Sequence, residues 1–253
     1  MRNKLKIIFF VLFAPLVKAQ SIVNTENMSS KLDSTFVLST SFEGNYTTGN
    51  IELIQFKSAN QFAFKKDKNL VRLFFNYEYI SQDKEVISSD YISQLRYSYS
   101  LKNNSLYSFV QGQKSVSLSL NSRYLIGIGY RQNLFKKNKN YLDIAFGPFY
   151  ENEMYLKNST EKIHIINYRC SFGSFFNFKI TDKLENNTVF YYQLNSEDFK
   201  DYRIYLEPKI AYSFEHFKIY SIFRYRFHST PYIEIRNTDS QILFGCSYDL
   251  GFN

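Results

Sequence analysis

Charged residues recur at every second position in several segments of this chain, a spacing that places side chains on one face of a β-strand. Arginines and carboxylates on neighbouring strands form ion pairs, each worth about 0.2–1 kcal/mol when the residues are directly opposed. A turn around residue 137 would place Arg131 opposite Asp143 and Arg123 opposite Glu151. A turn near residue 160 would place Arg169 opposite Glu151 as well. We therefore predict that ion pairs connect neighbouring strands along this charged face.

The same face continues along the rest of the chain. Around residue 215, Glu207 would lie opposite Arg224, again with opposite charges. One segment does not fit, because the register that opposes Arg72 to Arg96 brings like charges together. The charged side chains that we expect to share this face and to line a lumen are Arg72, Glu78, Arg96, Arg123, Arg131, Asp143, Glu151, Arg169, Arg203, Glu207, Arg224 and Arg226.

No catalytic arrangement emerges from these residues. His228 is followed directly by Ser229, but neighbouring side chains on a strand point to opposite faces, so we interpret His228 as a polar residue at a loop edge. Glu151 and Glu153 share a face as paired carboxylates do, yet the arginines around them favour a structural role. The sequence contains no metal-ligand spacing or phosphate-binding glycine loop. We predict no catalytic residue, no metal site and no cofactor.

The charged positions lie in segments of about 10 to 14 residues in which apolar and polar residues alternate with a period of two. In residues 70–80, for example, Val71 and Leu73 share one face and Arg72 and Asn76 the other. Short segments rich in Lys, Asn, Asp and Ser separate these stretches. We predict twelve antiparallel strands near residues 34–43, 51–64, 70–80, 89–101, 105–114, 122–135, 140–154, 163–179, 185–195, 201–214, 217–228 and 240–252.

The predicted connections fall into two classes. Those after even-numbered strands are short and basic, as at 65–69 and 136–140, whereas those after odd-numbered strands are longer, as at 81–88 and 229–239. With both termini on one side, all the short turns share that side. Short periplasmic turns and longer outer loops are typical of outer-membrane barrels. The pattern therefore predicts an all-β fold, an antiparallel transmembrane β-barrel of about twelve strands in an up-and-down meander.

Alternation alone does not say which face points outward, because a soluble ligand-binding barrel alternates with its apolar face inward. Three features favour an apolar outer face. The polar face carries ten basic and nine acidic residues, and the apolar face is rich in Tyr and Phe near strand ends, where aromatic girdles lie. Twelve strands also enclose more room than apolar side chains fill, since about eight strands already suffice for a packed interior. A soluble periplasmic lipid-binding barrel and an outer-membrane lipid-acting enzyme stay open as alternatives.

The first 19 residues have the layout of a secretory signal peptide, with a basic start, an apolar run over 7–17 and a small residue, Ala19, at the predicted cleavage site. The apolar run is too short for a membrane helix, which takes roughly 20 residues. We expect residues 20–33 to form a periplasmic segment and residues 34–253 an outer-membrane barrel. The leader carries four basic and no acidic residues, so its removal lowers the net charge from +8 to +4 and weakens the case for nucleic-acid binding.

The final segment, residues 242–253, places Ile242, Phe244, Tyr248, Leu250 and Phe252 on one face. This pattern resembles the C-terminal signal of chains that the barrel-assembly machinery inserts. We therefore expect outer-membrane lipid and that machinery as partners, and no nucleic acid.

Several short motifs are similar to a known family: TTGN at 47–50, RYLIGIGY at 123–130, the segment 144–151, and the segments 225–231 and 237–239. From about residue 34 to its end, the chain resembles the salt-induced outer-membrane proteins, a family of largely unknown function. The resemblance implies an outer-membrane barrel and supplies no catalytic residues. We expect a barrel in the outer membrane of a Gram-negative-type cell, structural in role or passing small solutes through a narrow charged lumen.

Overall fold

The computed structural model describes residues 35–49, 52–116, 118–138, 140–156, 161–233 and 236–252. The predicted signal peptide (1–19) and the predicted periplasmic segment (20–33) lie outside the described residues. No helix in the described ranges is long and apolar enough to cross a bilayer. The strands in these ranges are β1 Phe36–Thr47, β2 Leu53–Lys66, β3 Asn69–Gln82, β4 Glu85–Leu101, β5 Asn104–Ser115, β6 Leu120–Lys137, β7 Asn140–Leu156, β8 Lys162–Lys179, β9 Leu184–Asn195, β10 Tyr202–Phe214, β11 Phe217–His228 and β12 Thr238–Phe252.

The twelve strands form one closed antiparallel barrel. Each strand pairs with its neighbours in sequence, and β1 pairs with β12 to close the sheet. The prediction of an all-β, twelve-stranded up-and-down barrel is confirmed. The predicted bounds of β11 match those of the structure, and the other predicted strand ends lie within about four residues of the observed ones.

The connections define two ends of the barrel. We call the end that holds the first residue of β1 and the last residue of β12 the terminus end, and the opposite end the loop end. Turns at the terminus end are short, as at residues 67–68 between β2 and β3 and at residues 215–216 between β10 and β11. At the loop end, residues 196–201 connect β9 to β10 and residues 229–237 connect β11 to β12.

The prediction of a longer loop over residues 81–88 is wrong. β3 continues to Gln82 and β4 begins at Glu85, so that only Asp83 and Lys84 turn the chain. Both have positive φ, 50° and 70°, as a two-residue type I′ hairpin turn requires. The pairing register shifts just after Ile80, and this irregularity breaks the alternation that marks a strand in the sequence.

Side chains alternate between the outside and the inside of the barrel. On β6, Arg123 is 1% exposed and Leu125 is 8% exposed. The alternating residues Tyr124 and Ile126 are 61% and 56% exposed. The outward row is apolar, and the inward row carries the arginines. Hydrophobic side chains therefore cover the outer surface of the barrel instead of filling its centre.

The interior also contains aromatic rings, which the alternation rule did not predict. In the terminus half of the barrel, Ala145, Phe175 and Val189 are buried together, with Tyr107 and Tyr191 packed against them. The predicted lumen of ion pairs is thus partly lined by an apolar patch.

Two glycines of β6 explain how aromatic rings fit inside the barrel wall. The ring of Phe109 lies over Gly127 and the ring of Tyr107 lies over Gly129, so close that a Cβ atom at either glycine would overlap the ring. The Gly-X-Gly segment therefore makes room for two side chains of the neighbouring strand β5.

Candidate functional site

The interior charges of the loop half converge on Glu151 of β7. Its carboxylate accepts hydrogen bonds from Nε of Arg123 on β6 (2.7 Å), Nε of Arg169 on β8 (2.8 Å) and Nη1 of Arg203 on β10 (2.9 Å). All four side chains are 2% exposed or less. Because β7 and β10 are separated by two strands, these contacts cross the lumen as well as following the sheet.

Two further carboxylates balance the arginines. Glu153 lies 3.2 Å from Nε of Arg123 and 3.1 Å from Nη2 of Arg203. Asp201, in the connection between β9 and β10, lies 2.5 Å from Nη2 of Arg169. Three positive charges thus meet three negative charges, a balance that burial requires because an unpaired buried charge is costly. The arginine–carboxylate cluster consists of Arg123, Glu151, Glu153, Arg169, Asp201 and Arg203.

Loop-end connections cap this cluster. The Tyr232 hydroxyl, in the connection between β11 and β12, donates to Oδ2 of Asp201 (2.6 Å), and Nε2 of His228 lies 2.8 Å from Oδ1 of Asp201. Burial opposes ionisation of Asp201, but hydrogen bonds from His228, Tyr232 and Arg169 outweigh it and hold the pKa of this carboxyl below its usual range. Burial and the hydrogen bond to Asp201 raise the pKa of the Tyr232 hydroxyl, which therefore stays a neutral donor.

Sequence reasoning gave no candidate at Asp201 or Tyr232. Tyr232 lies in a loop, where alternation carries no information on direction. The predicted strand 201–214 includes Asp201 with the parity of Arg203, but Asp201 was not chosen as a lumen residue, and in the structure it precedes β10. His228 is the last residue of β11 and so lies at a loop edge, as interpreted, but it is buried against Asp201 instead of facing solvent. The one available signal was the position of His228 on the same face as the lumen charges of β11.

The remaining predicted candidates also lie on the inner face. The prediction that Arg169 lies directly opposite Glu151 is wrong, because Arg169 opposes Phe149. The ion pair between Arg169 and Glu151 nevertheless forms along the diagonal. Arg72 does oppose Arg96, in the register that the sequence identified as unfavourable. Three further interior ion pairs are Arg224–Glu207 (2.5 Å), Arg226–Asp239 (3.7 Å) and Lys57–Glu78 (2.7 Å).

The register between β6 and β7 differs from the predicted one by two residues over most of the strand pair. Arg131 opposes Ala145 instead of Asp143, and Arg123 opposes Glu153. The Arg131–Asp143 ion pair forms nevertheless, at 2.8 Å along the diagonal, and Arg123 reaches its predicted carboxylate diagonally as well. A shift of two residues keeps every side chain on its face, and arginine is long enough to span the diagonal.

A cavity of about 360 Å³ lies at the terminus end, and we call it the vestibule. Its lining is strongly basic, although the lumen charges as a whole are nearly balanced. The guanidinium group of Arg131 lies 4.4 Å from the ring centroid of Phe175, and that of Arg96 lies 5.3 Å from the ring centroid of Tyr107. The charged residues of the lining are Lys65, Asp67, Lys68, Arg72, Arg96, Lys102, Arg131, Lys136 and Asp143.

Ser229 does not form a nucleophile–base pair with its neighbour His228. The Ser229 hydroxyl donates to the carbonyl oxygen of Lys200 (2.5 Å), away from His228. On the outer face, Nε2 of His164 lies 2.9 Å from Oδ1 of Asn152. In the part of the chain that the structure describes, no group of three His, Cys, Asp or Glu residues could hold a metal ion.

The family model described as proteins of unknown function, DUF481, matches residues 41–250. The chain belongs to the DUF481 family. The matched region of this DUF481 protein begins within β1 and ends within β12, so the family region is the barrel itself. No curated protein matches the chain significantly. None of these matches carries the name of the salt-induced proteins, and that part of the resemblance stays a prediction.

Solved structures with a similar architecture include outer-membrane proteins of different kinds. The NanC porin has a TM-score of 0.53 and 10% identity, with 85% of the DUF481 chain and 100% of the porin covered. The translocator domain of the autotransporter NalP from Neisseria meningitidis has a TM-score of 0.51 and 7% identity, with 88% and 91% covered. At these identities the likeness shows the fold alone. Since one barrel belongs to a porin and the other to a translocator, function must be argued from the site.

Proposed function

We propose that this DUF481 protein is an outer-membrane β-barrel whose lumen is closed at the loop end by the arginine–carboxylate cluster and passes small solutes only when that cluster opens. Burial of the cluster carries the proposal. Glu151, Glu153 and Arg169 are 0% exposed, although they project into the interior of a twelve-stranded barrel. Water in an open lumen would touch these side chains, so their burial supports a closed constriction.

The opposite wall of the loop half supports the same conclusion. Ser88 of β4, Ser115 of β5 and Asp239 of β12 are 1–2% exposed. The Ser115 hydroxyl donates to Oδ2 of Asp90 at 2.6 Å, which ties β5 to β4. Together with the cluster on β6 to β10, these residues place buried polar side chains around most of the loop half.

The outer surface supports a membrane location. Ile128, Phe146 and Phe244 are 63%, 58% and 68% exposed and belong to a continuous apolar covering. Large exposed apolar surfaces mark contact with lipid or with another protein. A soluble lipid-binding barrel would turn this face inward, so the geometry does not favour that alternative. Within the described residues, the Ser229 hydroxyl binds the carbonyl oxygen of Lys200 and is not paired with His228, and we therefore infer no enzymatic role.

Replacement of Ile128 by arginine tests the membrane location. Ile128 lies midway along β6, so Ile128→Arg is expected to destabilise the barrel by about 2–4 kcal/mol, the cost of a basic residue at the bilayer midplane. Leu134→Arg, on the same face but near the terminus end, is the matched control and should cost about 0–1 kcal/mol. The measurement is urea-induced unfolding from phospholipid vesicles, followed by circular dichroism. Equal, small costs at both positions would contradict a lipid-facing outer surface.

Conductance in planar bilayers tests the closed lumen. The wild-type protein is expected to give a flat trace, and Tyr232→Ala is expected to give channel openings, because it removes a hydroxyl that binds both Asp201 and Arg169. Tyr232 lies in a connection between strands, so its replacement leaves strand pairing intact. Tyr46→Ala is the matched control, since Tyr46 lies at the loop end of β1 and is 63% exposed. Steady conductance of the wild type, unchanged by Tyr232→Ala, would contradict the proposal.

A further inference from the structure

We propose that the vestibule binds a small organic anion that combines a ring with at least two negative charges. Seven basic and two acidic side chains surround this cavity of about 360 Å³. Small-molecule sites typically have volumes of about 300–1,000 Å³, so the vestibule suits a ligand of the size of a sugar phosphate. A concave wall with one sign of charge focuses the potential and concentrates ions of the opposite sign.

The basic wall holds two arginines in direct opposition. Arg72 of β3 and Arg96 of β4 face each other across the strands, an arrangement that disfavours pairing between them. An anion between the two guanidinium groups would offset this repulsion. Guanidinium groups bind carboxylates and phosphates through two parallel hydrogen bonds, and a ligand with two negative charges can engage both arginines.

Part of the lining is aromatic, and this is why we infer a ring as well as charge. Tyr107, Tyr141, Phe175 and Tyr191 line the cavity from β5, β7, β8 and β9. Ring faces and phenol hydroxyl groups suit a sugar or an aromatic ring. The stacking of Arg131 on Phe175 orients its guanidinium group before a ligand arrives, which lowers the entropic cost of binding.

The vestibule lies among the short turns of the terminus end, so a solute reaches it without passing the arginine–carboxylate cluster. Binding in the vestibule therefore does not depend on whether the cluster opens. A failure of this proposal would appear in binding measurements, whereas a failure of the closed-lumen proposal would appear in conductance.

Isothermal titration calorimetry on the full-length barrel in detergent tests the site. At low ionic strength, glucose 6-phosphate and benzene-1,3,5-tricarboxylate are expected to bind with a Kd of about 1 mM or tighter. Glucose should not bind, because it lacks charge, and inorganic phosphate should bind at least about fivefold more weakly, because it lacks a ring. Sodium chloride should weaken the binding of both ring anions through screening.

A double substitution localises the binding. Arg72→Gln with Arg96→Gln is expected to weaken binding of both ring anions by about tenfold or more. The matched control is Lys137→Gln with Lys183→Gln, which removes the same charge from exposed residues at the same end, outside the lining, and should change Kd by less than about twofold. The arginine variant loses a like-charge opposition, so we expect it to fold, with circular dichroism as the check. The proposal is overturned if neither ring anion binds, if glucose or phosphate binds as tightly, or if the two double variants lose affinity equally.

Discussion

Replacement of Glu151 by alanine is expected to destabilise the barrel by about 3–5 kcal/mol, because it leaves buried arginines without their shared carboxylate. Arg123, Arg169 and Arg203 all bind Glu151, and water does not reach any of them in the closed barrel. The measurement is urea-induced unfolding in phospholipid vesicles. The chain has no tryptophan, so circular dichroism and heat-modifiable gel mobility are the suitable signals.

Glu185→Ala is the matched control for this experiment. Glu185 is also an interior carboxylate in an ion pair, with Nζ of Lys218 at 3.2 Å, but its side chain is 23% exposed. Such a partly solvated pair contributes about 0–1 kcal/mol. Equal costs for Glu151→Ala and Glu185→Ala would show that the cluster has no special role in stability. If the cluster also closes the lumen, Glu151→Ala barrels should conduct in planar bilayers, and Glu185→Ala barrels should not.

Replacement of Gly147 by alanine is expected to be as damaging, for a different reason. A Cβ atom at Gly147 would overlap the carbonyl oxygen of Ile128 and the Cα atom of Gly129. The obstacle is backbone, which cannot rotate away as a side chain can, so strands β6 and β7 would have to separate. We expect a loss of about 3 kcal/mol, at the upper end of the usual cost of overpacking. Unfolding by urea and the yield of folded barrel both report this loss.

Gly112→Ala is the control for the glycine prediction. The nearest atom to a Cβ at Gly112 is Cε1 of Tyr124, 4.0 Å away, so the methyl group has room. Glycine within a strand costs roughly 0.5–1 kcal/mol relative to alanine, and Gly112→Ala should therefore be neutral or slightly stabilising. Tolerance of alanine at both glycines would mean that β6 and β7 approach less closely than the structure indicates.

The alternation of side chains was enough to predict the number, order and approximate bounds of the strands. It works because each strand of this barrel has one face on the apolar outside and one on the polar inside, so that the sequence of β6 records both environments. It failed at residues 81–88, where a shift in register breaks the period and a two-residue turn carries no glycine to mark it.

Register was harder to predict than strand position. β6 continues to Lys137 and β7 begins at Asn140, so the turn lies later than the charges suggested. Between the two irregularities of this pair, each opposed pair is moved by two residues. The alternation of side chains does not detect a shift of two residues, because such a shift leaves each side chain on the same face of the sheet. The ion pairs of Arg131 and Arg123 survived the error since long side chains reach across the diagonal.

The candidate site was predicted only in part, because it is built from strands and loops together. Interior strand residues such as Arg123 and Glu151 follow from the alternation. Tyr232 does not, since a loop folds inward or outward according to tertiary contacts that a single sequence does not record. Asp201 shares the parity of Arg203 in the predicted strand 201–214, but its role depends on Tyr232 and His228, which the loops bring to it. The sequence also did not predict that basic residues gather in the vestibule while the cluster is balanced in charge. Such a prediction needs the position of each side chain along the barrel axis, and that position follows only from the register of all strands.

The closure of the barrel by β1 and β12 has a consequence for biogenesis. Phe42 pairs with Cys246, so two segments about 200 residues apart in the chain must find each other before either has a complete set of hydrogen bonds. Until then, an incomplete sheet presents two unsatisfied edges, which are prone to join other chains. Ring closure is therefore the late and vulnerable step of maturation, and a chain cut short before β12 would have no way to shield its first strand.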